Sequence, residues 1–281
     1  MRVDEIITQK IINELEKGRI PWKKPWIGEY PSNLVSGKEY QGVNFFLLSS
    51  LDYERPYFLT FKQASDLGGA VKKGEHGYPV VYWDVLEETK KEGKEEEEDE
   101  VVKIPFLKYY TVFNVAQCEG IKVPKLKGKR RILSKEKIVS CYENRPKIIS
   151  GGSRACYSVK TDEIRIPILN LFKDSESYYV TLYHELIHST GHSKRLNRFA
   201  DNVDSGIFGS ESYSKEELIA ELGAAFLCAR TKIDNRQVKQ SAGYIQSWLK
   251  ALKNDSRFVI HAASKAQKAV DFVTGQKNHH R

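Results

Sequence analysis

The sequence has no apolar run approaching the ~18 residues that a membrane-spanning helix requires. The N-terminal stretch M-R-V-D-E-I-I-T-Q-K has no long apolar core, so a secretory leader is not expected. Cysteine is sparse. Cys118, Cys141, Cys156 and Cys228 lie far apart and form no C-x-x-C, which argues against a disulfide scaffold or a four-cysteine zinc site and fits a reducing cytoplasm. No solenoid-type repeat is visible. The glycine-rich G-G-A-V-K-K-G-E-H-G has the glycines for an anion nest but lacks the Gly-Lys-Ser/Thr ending of a nucleotide P-loop, so nucleotide hydrolysis is not indicated. Carboxylate-rich magnesium clusters are absent too, which leaves a nuclease reading weakly supported.

What is present is a 281-residue chain with 40% hydrophobic and 29% charged residues, enough for one large or two modest folded domains. Its formal net charge of +8 is unevenly spread. Residues 1–86 are neutral, with 11 basic and 11 acidic side chains. Residues 87–100, E-E-T-K-K-E-G-K-E-E-E-E-D-E, carry 9 acidic and 3 basic side chains and read as a solvated insertion between two strands. Residues 122–147 carry 10 basic and 2 acidic side chains. Lys127, Lys129, Arg130 and Arg131 in that block are candidates for nucleic-acid contact; the block also reads as a solvated linker.

Periodicity predicts an α+β fold in two parts. In residues 3–17, Ile6, Ile7, Ile11, Ile12 and Leu15 recur at helical spacing, with Gly18 and Pro21 as stop signals. A short helical stretch is expected at 63–67, and strands at 78–86 and 104–115 flank the acidic insertion. These make a small N-terminal domain over 1–121, followed by a basic linker over 122–135 and a second domain over 136–281. There, Ser134 is a candidate cap for a helix reaching about Tyr142, residues 147–169 read as two short strands around a turn, and helices are expected at 178–190, 215–230, 235–253 and 261–273.

The sharpest chemical signal is H-E-L-I-H at 184–188. On a helix, positions four apart share a face, so His184 and His188 can chelate one ion, while Glu185 can take a proton from a water there. Position 194 is Lys, which disfavours the metzincin extension. A third ligand is therefore sought in S-K-E-E-L-I-A-E-L-G, where Glu217 and Glu221 share a face and Glu216 is expected to point elsewhere. Glu217 is the first choice as ligand and Glu221 the alternative; whichever is not a ligand would orient a histidine. Glu217 also fits a capping box with Ser214. His192 continues the histidine spacing, although Gly191 can end the helix before it; a fourth ligand, a transition-state donor and a surface histidine are all open readings. Tyr157, on an expected strand, is a candidate oxyanion donor or a packing residue, and Asp162 reads as a turn residue. Lys194, Arg195 and Arg198 follow the motif and are placed to pair with the acidic helix or with an anionic substrate.

These residues carry a resemblance that runs almost the length of the chain. L-E-K-G-R-I-P-W-K-K-P-W, N-L-V-S-G-K-E-Y-Q-G-V-N, F-L-T-F-K-Q-A and Y-T-V-F-N-V-A-Q-C-E-G in the first half, with Y-H-E-L-I-H-S-T-G-H-S-K-R-L-N-R, Y-S-K-E-E-L-I-A-E-L-G and Y-I-Q-S-W-L-K-A-L-K-N-D in the second, resemble the ArdC-type antirestriction proteins of mobile elements, relatives of primase-like TraC proteins. The resemblance implies an N-terminal domain that binds single-stranded DNA, a zincin-like metallopeptidase domain, and protection of incoming DNA from restriction. It carries His184, His188, His192 and the acidic helix residues over as site residues.

Single strands are held by aromatic platforms and cations. Trp22, Trp26, Tyr40, Phe45, Tyr57, Phe58 and Trp83 are candidate rings, each with a core role as its alternative. Lys23, Lys24, Lys38, Lys62, Lys72 and Lys73 are candidate cations. The expectation is thus a cytoplasmic, single-stranded-DNA-binding protein with a Zn2+ hydrolase site acting on DNA-associated protein. Its rival is a non-enzymatic shield that coats single strands and holds a structural metal.

Overall fold

Residues 2–23, 30–51, 53–90, 100–124, 133–199, 211–237 and 242–276 are described by the computed structural model, and the fold is α+β. Lys24, Trp26, Lys127, Lys129, Arg130 and Arg131, all proposed DNA contacts, lie outside the described residues.

Helix α1 (Val3–Glu16) forms where apolar residues recur every three or four positions, and buries Ile7, Ile11, Ile12 and Leu15. The Arg2 backbone N–H donates to the Glu5 carboxylate (2.7 Å) at its start, and Gly18, at φ +73°, lets the chain turn away at its end. A four-stranded sheet follows in the order β1 (Ser32–Asn33), β2 (Tyr57–Leu59), β5 (Glu100–Asn114), β4 (Tyr78–Lys90). Strands β4 and β5 form one long antiparallel hairpin, Tyr78 opposite Val112 and Lys90 opposite Glu100. The strands therefore run further into the acidic block than expected: Glu87–Lys90 is strand, not solvated insertion. Helix α2 (Val43–Ser49) was not expected; its apolar residues, Val43, Phe45, Phe46 and Leu48, fit a helix that is buried on most sides. Helix α3 (Phe61–Asp66) opens on a Thr60–Gln63 capping box, and β3 (Ala70–Val71) pairs with β6 (Cys118–Glu119).

In the second half, the Ser134 hydroxyl accepts from the Lys137 N–H (3.1 Å) to cap α4 (Lys135–Cys141). Residues 147–166 hold three strands rather than two, β7 (Lys147–Ser150), β8 (Cys156–Ser158) and β9 (Glu163–Ile166), in the order β7-β9-β8. The extra strand, β7, reaches β9 by parallel pairing, which adjacent-strand pattern reading does not reveal. Four further helices are α5 (Ser175–Ser189), α6 (Glu211–Thr231), α7 (Ala242–Asn254) and α8 (Phe258–Thr274).

One core joins the two halves. Ile7, Ile11, Trp22 and Phe45 from before the basic block pack in the same cluster as Ile187, Phe226, Trp248 and Val270 from after it. The Trp22 ring meets Trp248 edge-on at 5.4 Å, and Phe46 meets Phe226 at 4.5 Å. Helices α5 and α6 cross closely at Gly223, where an added Cβ would fall 2.7 Å from the Ile187 side chain. That close approach brings the faces carrying the H-E-L-I-H motif and its acidic counterpart together.

Candidate metal centre

Helix α5 is capped by Asp174, whose side chain accepts from the Ser177 N–H (2.7 Å), and is anchored by buried Leu182, Tyr183, Leu186 and Ile187. Its remaining face presents His184 and His188 toward α6. Their Nε2 atoms lie 2.9 Å apart. One Glu217 carboxylate oxygen is 3.5 Å from His184 Nε2 and the other is 3.5 Å from His188 Nε2. Among the described residues, these three side chains form a cluster whose ligand atoms all lie within 4.8 Å of one another.

The Nδ1 atoms face outward to separate carboxylates. His184 Nδ1 is 3.4 Å from Glu221 Oε1, and His188 Nδ1 is 3.4 Å from Glu216 Oε1. Such partners hold Nδ1 protonated and aim the two Nε2 atoms at a common point, so that an ion displacing the Nε2 protons meets both lone pairs, which is how histidine ligands are oriented. Two imidazole nitrogens and a carboxylate, oriented in this way, suit a divalent cation.

The electrostatics follow from this packing. Burial works against charge on both rings, but the facing carboxylates outweigh it: His184 is held well above the ordinary imidazole value by Glu217 and Glu221, and His188 is raised to about 9 by Glu216 and Glu217. Burial pushes the Glu217 carboxyl up, and the two histidines pull it further down, well below the usual carboxylate range.

Several expectations are corrected here. Glu216 does not point elsewhere: it is 5% exposed and sits between His188 and Arg198, whose Nη2 donates to Oε1 at 2.6 Å and whose Nε donates to Oε2 at 3.2 Å. Arg198 also donates to the Ile187 carbonyl (3.0 Å) and the Thr190 hydroxyl (2.6 Å), tying the end of α5 to α6. The capping box at Ser214 is absent because α6 begins at Glu211, which leaves Ser214 inside the helix. Helix α5 ends at Ser189, so His192 sits in a turn, with Nδ1 accepting from the Lys194 N–H (3.1 Å), and is not in the cluster. Glu185 is 8% exposed beside His184, which feels its charge.

Tyr157 is on β8, and its hydroxyl donates to Asp162 (2.8 Å). Arg195 donates to that same hydroxyl (3.0 Å), forms an ion pair with Asp162 and donates to the Ser189 carbonyl (2.7 Å). Asp162, at φ +51°, is thus both the expected turn residue and the acceptor of this network. Sequence reading missed Tyr213 and Tyr244, whose hydroxyls lie 3.1 Å apart; Tyr213 stands one helical turn before Glu217, and that spacing is the one local signal that could have found it.

The proposed DNA contacts divide. Trp22 is 1% exposed and Tyr40 is 6% exposed, so neither ring presents a face to a base. Phe45, Tyr57 and Phe58 are likewise buried. Asn235 donates to the Trp22 carbonyl (2.9 Å), and this anchoring turns Lys23 inward, where it lines a cleft of about 210 Å³ with His184, Glu217 and Glu221. Burial lowers the Lys23 pKa, opposed by the Glu221 charge. Lys38, Lys62, Lys72 and Lys73 are exposed, and Lys72 donates to the Ala116 carbonyl (2.9 Å). Among the described residues the exposed rings are Phe61, Tyr82, Trp83, Tyr109 and Tyr110, and of these Trp83 is the one expected as a base platform.

Comparison with known proteins places both halves. Residues 1–113 match the family described as the N-terminal domain of anti-restriction factor ArdC, and residues 136–265 match the zincin-like metallopeptidase family MPTase-PolyVal. The crystal structure of antirestriction protein ArdC from plasmid R388 in its metal-free form is 35% identical, covers 98% of each chain and superposes with a TM-score of 0.80. The Mn(II)-bound form of that protein superposes with a TM-score of 0.78 at 34% identity over 100% of each chain. An uncharacterized protein, y4eC, of Sinorhizobium fredii is 34% identical over 98% of this chain and 92% of its own length. A DNA primase TraC of Escherichia coli is 35% identical over 96% of this chain, which spans only 20% of that protein.

Proposed function

Because the chain belongs to the ArdC family of antirestriction proteins, we propose that it protects DNA entering a cell from restriction, binding it as a single strand and carrying a zinc peptidase site in the cytoplasm. The convergence of both His Nε2 atoms on the two oxygens of one carboxylate carries the peptidase reading. His184, His188 and Glu217 would hold the ion, and this nitrogen–oxygen donor set fits zinc. A bound divalent ion supplies Lewis-acid polarisation of a carbonyl and of a water.

The chain's own groups do the rest. Glu221 and Glu216 hold the histidine rings through Nδ1. Glu185, the residue after the first histidine, accepts the proton of the attacking water and returns it to the leaving amine. The Tyr157 phenol gives its one hydrogen to Asp162 and accepts from Arg195, so it donates to a developing oxyanion only on exchanging the bond to Asp162. The His192 Nδ1 accepts from the Lys194 N–H, which leaves Nε2 as its donating nitrogen. Single-strand binding raises the local concentration of DNA-associated protein at this site.

The test is metal content together with peptidase activity in the wild type, His184→Ala and Glu185→Gln. About one zinc per chain, lost in His184→Ala and kept in Glu185→Gln, with activity lost in both, supports the proposal. Activity that survives Glu185→Gln overturns the mechanism. Metal retained with no peptidase activity in the wild type favours a structural site on a non-enzymatic shield.

A further inference from the structure

The rings expected to stack on DNA are mostly buried, whereas other rings on the β4–β5 hairpin are not. Tyr82, Trp83, Tyr109 and Tyr110 are 42%, 42%, 57% and 39% exposed. An unspecialised soluble surface seldom gathers four such rings on one hairpin. Strand register explains the cluster. Val80 opposes Tyr110 and Tyr82 opposes Lys108 on one face, and the Tyr82 and Tyr110 rings lie 5.8 Å apart. Trp83 is on the other face, with its ring stacked on His261 of α8 at 5.4 Å. Strand β4 is the sheet edge, so both sets reach one groove of about 550 Å³ between the hairpin and α8. That volume lies in the range of sites that enclose a small organic group.

Lys268 of α8 is the cation that lines the far wall of the groove; Lys265 is exposed three residues before it on the same helix, and the helix's one carboxylate, Asp271, is buried. Glu39 is the one carboxylate among the described residues lining the groove.

We propose that single-stranded DNA occupies this groove, its bases stacked on Tyr82, Tyr110 and the open face of Trp83 and its phosphates held by Lys265 and Lys268. This rests on the reading of the chain as a single-strand binder and locates the site. It also assigns part of that site to α8, whose first part lies within the zincin-like match, so the strand bridges both halves of the chain.

The experiment titrates the full chain against a fluorescein-labelled oligothymidylate, followed by anisotropy at several salt concentrations. Tyr82→Ala and Tyr110→Ala are each expected to weaken binding about 5- to 100-fold, the range for loss of one stacked base. Lys268→Ala is expected to lower the salt slope by about 0.7, the value for one single-strand phosphate contact. Phe61→Ala, on exposed α3 and outside the groove lining, is expected to bind as the wild type. Should Tyr110→Ala fail to fold, Lys268→Glu on an exposed helix position carries the test, with a loss of at least tenfold expected. Groove variants that bind as the wild type overturn this proposal and leave single-strand binding standing. A wild type that does not bind the oligonucleotide overturns the underlying reading and the groove with it.

Discussion

The Glu216 Oε1 atom serves two partners: it accepts from Arg198 Nη2 at 2.6 Å and lies 3.4 Å from His188 Nδ1. Arg198 therefore holds a histidine ring through a carboxylate, and its bonds to Ile187 and Thr190 fix the end of α5 at the same point. Glu216→Gln keeps the shape but removes the charge that orients His188. It is expected to weaken metal binding about 10- to 100-fold, as loss of a partner behind a ligand does. Competition against a chromophoric chelator measures this, and unchanged affinity would reduce Glu216 to a structural ion-pair partner of Arg198.

Gly223→Ala tests the crossing of the two site helices. The added methyl would sit 2.7 Å from the Ile187 side chain, so α5 and α6 must separate. A cost of about 1–3 kcal/mol is expected from overpacking, set against a helix-propensity gain of roughly 1 kcal/mol for Gly to Ala. Metal affinity is expected to fall as well, since Glu217 moves away from both histidines. Urea denaturation and chelator competition read the two effects separately.

Trp22→Ala is expected to destabilise the protein by about 3–5 kcal/mol through a core cavity opposite Trp248. The folded variant is expected to bind oligothymidylate as tightly as the wild type. A DNA defect without a loss of stability would restore Trp22 as a contact.

Asp162→Asn examines the network around Tyr157. Burial raises the Asp162 pKa, but Arg195 and Tyr157 outweigh it and hold the carboxyl below the ordinary aspartate value. A group lowered in the folded state adds stability above its unfolded pKa, and that stability is lost as pH falls through the folded value. At neutral pH the variant is expected to lose about 3 kcal/mol, because the Arg195 charge, with 1% of its side chain exposed, is left without its ionic partner. The gap in melting temperature between wild type and variant is expected to narrow as pH falls below about 4, the ordinary aspartate value, and to close only once the native carboxyl, held lower still, takes up its proton. A gap that does not change with pH would show that the ion pair contributes nothing.

Local pattern made much of this legible. The α1 stripe, the Ser134 cap and the α5 helix follow from side-chain spacing and capping chemistry, which are properties of neighbouring residues. Helix α2 escaped detection because a helix buried on most sides has no polar stripe to reveal its period. Strand β7 escaped because its partner, β9, is reached only after β8 intervenes.

The sequence by itself determined that His184 and His188 share a helix face with Glu185 between them, since a helix dictates which side chains align. It also limited the acidic partners to one short segment. Only the tertiary structure decided which carboxylate meets which imidazole nitrogen, because that depends on how α6 crosses α5 at Gly223. Only the tertiary structure decided which rings face water. Trp22 and Tyr82 have the same aromatic character in the sequence, but Trp22 falls where two halves of the chain fold into one core and Tyr82 falls on the edge strand of a sheet, where it stays exposed. Burial depends on contacts between segments far apart in the chain, and no local pattern encodes them.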